Sequence, residues 1–121
     1  MTFTIDYKIT GRDSLNTIYS CKHWTQRKKY ADTAHKEIWW EMLRSLGALS
    51  SYSVFSEPVA ITVTYPPDNI DIDNHALVCK IILDCIKGKI IPDDSPKYVR
   101  RVTQQFGDVD KITVEMEEVE C

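Results

Sequence analysis

The chain has 121 residues, of which 43% are hydrophobic and 27% are charged, and its formal net charge is −3. This length fits one domain with a modest core, and the composition is that of a soluble globular protein. No apolar run approaches the roughly 18 residues that a membrane span requires, and the alternating polar N-terminus lacks the pattern of a signal peptide. We therefore predict one domain over residues 1–121, located in the cytoplasm and without membrane partners.

The negative charge is concentrated at the C-terminal end of the sequence. Residues 111–121 carry one lysine and four glutamates, so the other 110 residues are neutral, with 14 cations and 14 acids. Nucleic-acid-binding proteins are usually basic, and the total charge alone argues against that class. A neutral body with local basic patches and an acidic tail at about residues 115–121 leaves DNA binding open, and salt would weaken such binding readily.

Alternating apolar residues predict four strands, and apolar residues that recur every four positions predict two helices. The strands are expected at residues 2–9, 58–65, 97–105 and 108–119, and the helices at 30–46 and 75–87. The order β-α-β-α-β-β predicts an α+β fold in which both helices pack on one mixed sheet. The short interval between Gln105 and Asp110 is compatible with a hairpin that pairs the last two strands.

A basic segment lies between the first predicted strand and the first predicted helix. It contains no acidic residue, and its cations stand beside a tryptophan and a histidine, a composition suited to phosphates and bases. In the alternative interpretation, the cations form the solvated first turn of the helix while the tryptophan packs into the core. The residues concerned are Lys22, His23, Trp24, Arg27, Lys28 and Lys29.

The first predicted helix carries more large apolar side chains than a small sheet is expected to cover. Tyr30, Ile38 and Met42 share a four-residue repeat, Trp39 and Leu43 widen the apolar face, and Trp40 is a further large apolar side chain. The two tryptophans would suit a binding platform, but core packing of one and partial exposure of the other is the preferred interpretation. In a dimer, Trp40 would lie at the subunit interface.

The four cysteines form no C-x-x-C pair, which argues against a zinc knuckle or a redox motif. An even number of cysteines permits disulfides, but no other feature indicates secretion, so free thiols are predicted. Cys79 and Cys85 are expected to be core or surface thiols of the second predicted helix.

An acidic segment at residues 69–94 surrounds the second predicted helix. Asp71 and Asp73 alternate around Ile72, a spacing that puts both carboxylates on one side of an extended segment. Because like charges repel, such a pair usually binds a cation, shares a proton or is fully solvated. Four aspartates of this segment, Asp71, Asp73, Asp93 and Asp94, have no neighbouring cation in the sequence with which to pair. Oxygen ligands at this density suit Mg²⁺ or Mn²⁺.

The second predicted helix has typical residues at its start and at its end. Asp73 or Asn74 would cap its first turn, and Gly88 would end it. After Pro92, two further aspartates form a turn that is expected to bend back to the start of the helix. One polar stripe along the helix consists of Asp73, Lys80, Asp84 and Lys87.

Two other interpretations of the acidic segment remain to be weighed. A loop that starts at Asp71 begins like an EF-hand, but its sixth residue is Ala76 rather than Gly and its twelfth is Ile82 rather than Glu. Both differences are disabling for that kind of calcium site. A purely structural interpretation makes Asp73 a helix cap and the later pair, at 93–94, a turn.

The acidic segment resembles the signature of RusA-type Holliday junction resolvases, most closely the RusA-like proteins of phages and prophages. The resemblance extends more weakly to Ser-Leu-Asn-Thr-Ile-Tyr-Ser at 14–20 and to the basic segment. In the best-known form of the family the lysine follows the asparagine by three residues, whereas Lys80 follows Asn74 by six, nearly one helical turn further along. The matching pattern is Asp71-x-Asp73-Asn74, Lys80-x-x-x-Asp84, Gly88 and Ile91-Pro92-Asp93-Asp94.

This resemblance implies a metal-dependent endodeoxyribonuclease that resolves Holliday junctions and related branched DNA. It further implies a homodimer in a bacterial or phage-infected cell, a Mg²⁺ cofactor for which Mn²⁺ could substitute, and DNA contacts by the basic segment. The implied catalytic residues are Asp71, Asp73, Asp94 and Lys80, the implied metal ligands are Asp71, Asp73, Asp94 and Asp93, and the supporting residues are Asn74 and Asp84.

Water is the expected nucleophile, because no serine, cysteine or tyrosine is placed as an evident covalent nucleophile. The alternative function is a non-catalytic module that binds branched or single-stranded DNA. The intact set of aspartates disfavours this alternative, because carboxylates repel a phosphate backbone unless a metal ion lies between them.

Overall fold

The computed structural model describes residues 1–14, 17, 24–47 and 55–119, and the order of its elements confirms the predicted β-α-β-α-β-β arrangement and the α+β fold class. Two short 3-10 helices, Gly11–Asp13 and Ile72–His75, precede the first and the second α-helix. The α-helices are α1 (Trp24–Leu46) and α2 (Ala76–Ile86). The strands are β1 (Thr2–Ile5), β2 (Val59–Tyr65), β3 (Val99–Phe106) and β4 (Ile112–Glu118).

The four strands form one mixed sheet in the order β1-β4-β2-β3. β2 and β3 are parallel, whereas β4 is antiparallel to both β1 and β2. The predicted hairpin between the last two strands is therefore wrong, since the chain passes from β3 across the end of β2 to reach β4. Burial gives the reason. Ile112, Val114 and Met116 of β4 are buried and suit the centre of the sheet, whereas β3 is mostly exposed and suits an edge.

One face of the sheet carries the core. Buried side chains of both helices, among them Ile38 of α1 and Ile82 of α2, belong to one cluster with alternating residues of the strands. The opposite face is polar, and there Thr62 pairs with Glu115 across β2 and β4. The fold is thus a sheet with helices on one side, and its alternating strand patterns follow from having one buried and one exposed face.

Helix α1 is longer than predicted, because it begins at Trp24 and includes the C-terminal part of the basic segment. Ile38 and Met42 are fully buried, and Trp39 packs against the core. Among the described side chains of α1, Trp40 is the one large apolar group that stays in solvent, with 66% of its surface exposed. The expected excess of apolar surface on this helix is therefore wrong, because β1 and α2 cover it.

The parallel pairing of β2 and β3 fixes where the two ends of α2 lie. Because both strands run in the same direction, α2 must return the chain from the C-terminal end of β2 to its N-terminal end. The loop before α2 therefore follows Tyr65, whose carbonyl accepts the Gly107 N–H at 3.1 Å. The loop after α2 lies at the opposite end of the sheet, where Val59 N–H donates to the Tyr98 carbonyl at 2.8 Å.

Helix α2 ends at Ile86, and Gly88 terminates it as predicted, two residues later, with a φ of +77° in the left-handed region that favours glycine. On the same helix, Cys79 and Cys85 are buried free thiols, and burial raises the pKa of both, that of Cys85 to about 12. Cys21 and Cys121 lie outside the described residues. Among the described helices, none has the length and apolar character of a membrane-spanning segment.

Candidate functional site

A buried histidine anchors the loop that carries Asp71 and Asp73. His75 has no solvent-exposed surface, and its ring packs against Tyr65 and Phe106 at centroid distances of 4.5 and 5.2 Å. Its Nδ1 lies 2.9 Å from the carbonyl oxygen of Asp71, and its Nε2 lies 2.9 Å from Oδ2 of Asp68. The ring therefore joins two points of the loop to the end of the β2–β3 pair.

The two partners of the His75 ring, the Asp71 carbonyl and the Asp68 carboxylate, determine how many protons the two hydrogen bonds require. A carbonyl oxygen cannot donate, so Nδ1 of His75 must carry a proton to bond Asp71. Nε2 faces a carboxylate oxygen of Asp68, and a hydrogen bond there needs one further proton, held by the ring or by the carboxyl group. When the ring holds it, the two side chains form an ion pair. Whichever group holds this proton, hydrogen bonds with the fully buried His75 ring hold the loop in place.

Asp71 and Asp73 are both exposed at the start of the 3-10 helix that precedes α2. The predicted capping of the helix by Asp73 or Asn74 is not what the structure shows. Asp71 occupies the N-cap without a side-chain hydrogen bond, and its carbonyl accepts the Asn74 N–H at 3.0 Å. The 3-10 turn satisfies these backbone groups itself. Within the described part of the chain, both carboxylates consequently lack a hydrogen-bond or ion-pair partner and remain available to a ligand.

Lys80 and Asp84 form an exposed ion pair on α2, with Nζ 3.1 Å from Oδ2. Their spacing of four residues places them on successive turns of one helix face, as predicted. Lys80 lies one turn after the start of α2, further along the chain than Asp71 and Asp73. Its ammonium group is bound to the Asp84 carboxylate. Such an exposed pair contributes little to stability and separates easily.

Asp93 and Asp94 lie at the opposite end of α2 from Asp71 and Asp73. The expected turn back to the helix start is wrong, because the chain is tied down after Gly88: Ile90 and Ile91 are fully buried, and the Ile90 carbonyl accepts the Phe55 N–H. Helix α2 has 11 residues and spans about 16 Å, which separates the two aspartate pairs.

The turn also supplies a cation that sequence reasoning did not assign to these aspartates. Lys87 Nζ lies 3.6 Å from Asp93 Oδ1 and 3.8 Å from Asp94 Oδ1. A hydrogen bond from the backbone of Asp94 lowers the pKa of Asp93, and the Lys87 ammonium lowers it further. The expectation that this pair has no nearby cation is therefore wrong, and the pair is partly neutralised within its own loop.

One chain therefore presents two separate acidic pairs. Among residues 1–14, 17, 24–47 and 55–119, no group of three or more His, Cys, Asp or Glu side chains is placed to hold a metal ion. Mg²⁺ nevertheless needs only one or two protein carboxylates when waters and a substrate phosphate complete its octahedral shell. Asp71 and Asp73 fit that requirement, because both carboxylates are exposed on an anchored loop.

The described part of the basic segment lies at the same end of the sheet as Asp71 and Asp73. Arg27, Lys28 and Lys29 are exposed in the first two turns of α1, while Lys22 and His23 lie outside the described residues. Both β1 and β2 are antiparallel to β4, so they run in the same direction. The contacts of α1 place its N-terminal turns near the C-terminal end of β1, which lies at the same end of the sheet as the C-terminal end of β2.

A buried carboxylate makes those contacts. Asp13 has no exposed surface and accepts hydrogen bonds from the hydroxyl groups of Tyr7, at 2.6 Å, and Tyr30, and from Thr10 N–H at 2.8 Å. Burial raises the pKa of both tyrosines, and the hydrogen bond to Asp13 raises it further. Tyr30 stands one residue after the basic turn, so this Asp13–Tyr7–Tyr30 cluster fixes the position of the cations.

Sequence reasoning missed His75, Asp68 and Asp13. The position of His75 gave one usable signal, because it continues the buried series of Cys79, Ile82 and Ile86 down one face of α2. A histidine on an apolar face needs hydrogen-bond partners. Asp13 gave no comparable signal, since its partners come from a strand end and from a helix that begins 11 residues later.

Comparison of the chain with protein-family models, with curated proteins and with solved structures gives no match.

Replacement of His75 by phenylalanine tests the anchor. Phenylalanine keeps most of the ring volume but leaves the Asp71 carbonyl and the Asp68 carboxylate without their donors, so we expect a loss of about 1–3 kcal/mol in the free energy of unfolding. Amide hydrogen exchange should become faster at Asn74. His35→Phe, on the half-exposed shoulder of α1, is the control, and equal effects of the two variants would contradict the anchoring role.

Alkaline pH tests the Asp13–Tyr7–Tyr30 cluster. The pKa values of Tyr7 and Tyr30 are raised above the ordinary 10.0, so their neutral forms stabilise the fold below pH 10.0 and this stabilisation is lost as the pH rises. We expect urea denaturation to give a decreasing free energy of unfolding above about pH 10. Tyr30→Phe should reduce this slope and cost about 1–3 kcal/mol at neutral pH, whereas Tyr98→Phe, at a half-exposed position, should leave the slope unchanged.

Proposed function

We propose that this protein is a metal-dependent endonuclease that hydrolyses phosphodiester bonds in branched DNA such as four-way junctions. One observation carries the proposal: two exposed carboxylates, Asp71 and Asp73, have no partner within the described residues and stand on an anchored loop at the same end of the sheet as the basic first turns of α1. Cations that hold phosphates and carboxylates that hold a divalent metal are the two components that phosphodiester hydrolysis requires.

The anchoring of the loop supports a catalytic role for it. A functional side chain must be held within about 0.5 Å of its productive position, which needs support from packing and hydrogen bonds. His75 supplies that support from a fully buried position, and it bonds the backbone of Asp71 rather than its carboxylate. The carboxylate is thereby positioned without being neutralised.

Asp71 and Asp73 would hold Mg²⁺ or Mn²⁺, and when bound the metal supplies activation of water and charge stabilisation on the phosphate. Arg27, Lys28 and Lys29 would hold the flanking phosphates of the strand and orient it. Lys80 would leave its ion pair with Asp84 and bind a non-bridging phosphate oxygen. Its side chain is long enough to reach that oxygen from a position one turn further along α2. Asn74, half-buried beside the aspartates, would support their loop.

The second candidate function is a non-catalytic module that binds branched or single-stranded DNA. The separation of Asp93 and Asp94 from Asp71 and Asp73 favours it, because one chain then lacks a complete four-carboxylate centre. The two functions differ in what the aspartates do. In a nuclease they are needed for cleavage, whereas in a binding module they only oppose the phosphate charge.

Substitution of the exposed carboxylates separates these functions. We expect Asp71→Asn and Asp73→Asn each to lower the rate of junction cleavage by about 100-fold or more, since the charge stabilisation by a metal is worth several kcal/mol. Junction affinity should be retained or rise, because one negative charge near the phosphates is removed. The substrate is a synthetic four-way junction compared with a linear duplex, each with Mg²⁺, Mn²⁺, Ca²⁺ or a chelator.

Glu117→Gln is the matched control, because Glu117 is exposed on the polar face of the sheet, away from the loop. It should cleave like the unmodified protein. Cleavage at the normal rate by Asp71→Asn or Asp73→Asn would refute the site. Tight junction binding by the unmodified protein, with no cleavage in Mg²⁺ or Mn²⁺, would establish the binding module instead.

The basic turn of α1 makes a separate prediction about DNA affinity. Replacement of Arg27, Lys28 and Lys29 together by alanine should weaken junction binding and reduce the slope of log affinity against log salt by about one unit for each phosphate that is no longer neutralised. Stability should change by less than about 0.5 kcal/mol, since the three side chains are exposed. Lys36→Ala, further along α1, is the control, and an unchanged salt slope in the triple variant would place the DNA surface elsewhere.

A further inference from the structure

A pocket of about 360 Å³ lies between the basic end of α1 and the segment that follows β1. Tyr7 and Arg12 form one wall of this Tyr30 pocket. Clefts that hold small molecules measure about 300–1,000 Å³, so the pocket has room for one small ring system and not for a helix or a duplex. The other wall is one face of α1, with residues at helical spacing: Gln26, Lys29, Tyr30, Thr33, Ala34 and Glu37.

The floor of the Tyr30 pocket is apolar and fixed in position. Tyr7 and Ala34 are buried, whereas Tyr30 is half-buried, so that part of its ring stays accessible from the pocket. The hydroxyl groups of both tyrosines donate to the buried carboxylate of Asp13, which holds the two rings in place. A flat ring that enters the pocket therefore meets an aromatic surface that needs no reorganisation.

The polar groups of the Tyr30 pocket suit an anion with hydrogen-bonding edges. Arg12, Lys29 and Glu37 are exposed, and in the part of the chain that the structure describes none of them has an ion-pair partner. These two cations and one carboxylate give the lining a net positive charge. Gln26 and Thr33 add an amide and a hydroxyl group, which both donate and accept hydrogen bonds. A flat ring with polar edges and an attached phosphate, which is the chemistry of a nucleotide, fits this set of groups.

A second cleft connects the Tyr30 pocket with the loop that carries Asp71. This cleft also measures about 360 Å³, and Tyr7 lines both spaces. Its far side includes Asp68, whose carboxylate lies 2.9 Å from Nε2 of His75. The pocket, the cleft and the anchored loop thus follow one another at this end of the sheet. Three aspartates and two lysines line the cleft, so it does not attract phosphates, and the cations of the Tyr30 pocket are better placed to do so.

We propose that the Tyr30 pocket binds one unpaired nucleotide of a DNA strand, with its base on the Tyr30 ring and its phosphate at Lys29. The choice of a strand rests on the proposed function, whereas the fit to a nucleotide rests on the pocket alone. The base must be unpaired, because a paired base has both faces covered by its neighbours and presents only its edges in the grooves.

The Tyr30 pocket gives a physical reason for a preference for branched DNA. Phosphates that bind Arg27, Lys28 and Lys29 are the same in a linear duplex and in a branched one, so these contacts alone do not discriminate. A base leaves the stack at the lowest cost where it is already unpaired, as it is at a branch point. A branched substrate therefore fills the pocket at a cost that a linear duplex has to meet by breaking a base pair.

Removal of single bases from a DNA fork tests the pocket. The probe is a duplex with an unpaired arm of about ten nucleotides, within the roughly 4–16 nucleotides that single-strand sites cover, and a chelator prevents cleavage. An abasic nucleotide, which keeps its phosphate, replaces each nucleotide of the arm in turn. We expect one position at which removal of the base weakens binding at least about fivefold, the lower end of what stacking on an aromatic ring contributes. Equal affinities for all the forks would overturn the pocket assignment.

Two substitutions of Tyr30 separate stacking from a structural role. Both Tyr30→Leu and Tyr30→Phe lose the hydroxyl group that donates to Asp13, but only Tyr30→Leu loses the ring. The ratio of affinities for the intact and the abasic fork should stay at fivefold or more in Tyr30→Phe and fall to about one in Tyr30→Leu. This ratio does not depend on the fraction of folded protein, because that fraction affects both forks equally. A ratio that the two variants change alike would refute stacking on Tyr30.

Photochemical cross-linking places the base without any substitution in the protein. The fork carries 5-iododeoxyuridine at the position that base removal identifies, and irradiation joins the base to an aromatic side chain in contact with it, with loss of hydrogen iodide. Mass spectrometry of the digested complex should find the cross-link at Tyr30 or Tyr7. A cross-link to an aromatic residue outside the pocket, such as the exposed Trp40, would overturn the assignment.

Free deoxynucleoside 5′-monophosphates distinguish a strand from a loose nucleotide. At millimolar concentration they should leave the fork bound, because one nucleotide makes only part of the contacts of the strand. Displacement of the fork by micromolar free nucleotide would assign the pocket to free nucleotides and overturn the inference.

The outcomes for the pocket remain distinct from those for the nuclease. Base-dependent binding of the fork, without cleavage of any branched substrate in Mg²⁺ or Mn²⁺, would support the pocket and refute the proposed function. Cleavage of the four-way junction, with equal affinity for every abasic fork, would support the function and refute the pocket.

Discussion

The parallel pairing of β2 and β3 is the constraint on which the geometry of the candidate site depends. Two parallel neighbours oblige α2 to run the full length of the sheet between them, so whatever precedes the helix and whatever follows it are held at opposite ends. Tyr65 and Phe106, at the matching ends of the two strands, then provide the apolar wall that buries His75. The anchor of the Asp71 loop exists only because these two strand ends are adjacent.

The same constraint explains how one short chain carries two acidic pairs in different electrostatic settings. At the end of β2, Asp71 and Asp73 are exposed and unpaired within the described chain, and the nearby histidine bonds a backbone carbonyl. At the other end, Lys87 lies close to both Asp93 and Asp94. The first pair is therefore suited to gain a cationic ligand, whereas Lys87 already compensates part of the charge of the second pair.

Much of the fold could be predicted from the sequence because the relevant patterns are local. The four-residue repeat of α1 and the alternation of β4 each reflect one buried face, and burial does not depend on which neighbour provides it. Strand order is not local. The polarity of β3 was visible in Arg100 and Arg101, and it favours an edge, yet the short link to β4 argues equally for a hairpin. The strand order is decided only by which position beside β2 each of the two strands, β3 and β4, occupies.

The candidate site likewise has features that were predictable from the sequence and features that were not. The extended alternation that puts Ile72 on the opposite side from Asp71 and Asp73 is wrong, because Ile72–His75 form a 3-10 helix and Ile72 is exposed as well. Only the exposure of the two aspartates was predictable. The anchor by His75 and Asp68 and the cluster around Asp13 were not, because their partners come from separate elements. The distance between the two aspartate pairs had a usable signal: a helix between two strands that become parallel neighbours separates its flanking loops by its own length.

The direction of α2 has an electrostatic consequence of its own. Its aligned peptide groups create a macrodipole, with partial positive charge at the Ala76 end and partial negative charge at the Ile86 end. A phosphate that approaches Asp71 and Asp73 therefore meets a favourable potential from the helix, although the side chains there are acidic. Lys87 stands beyond the negative end and complements it.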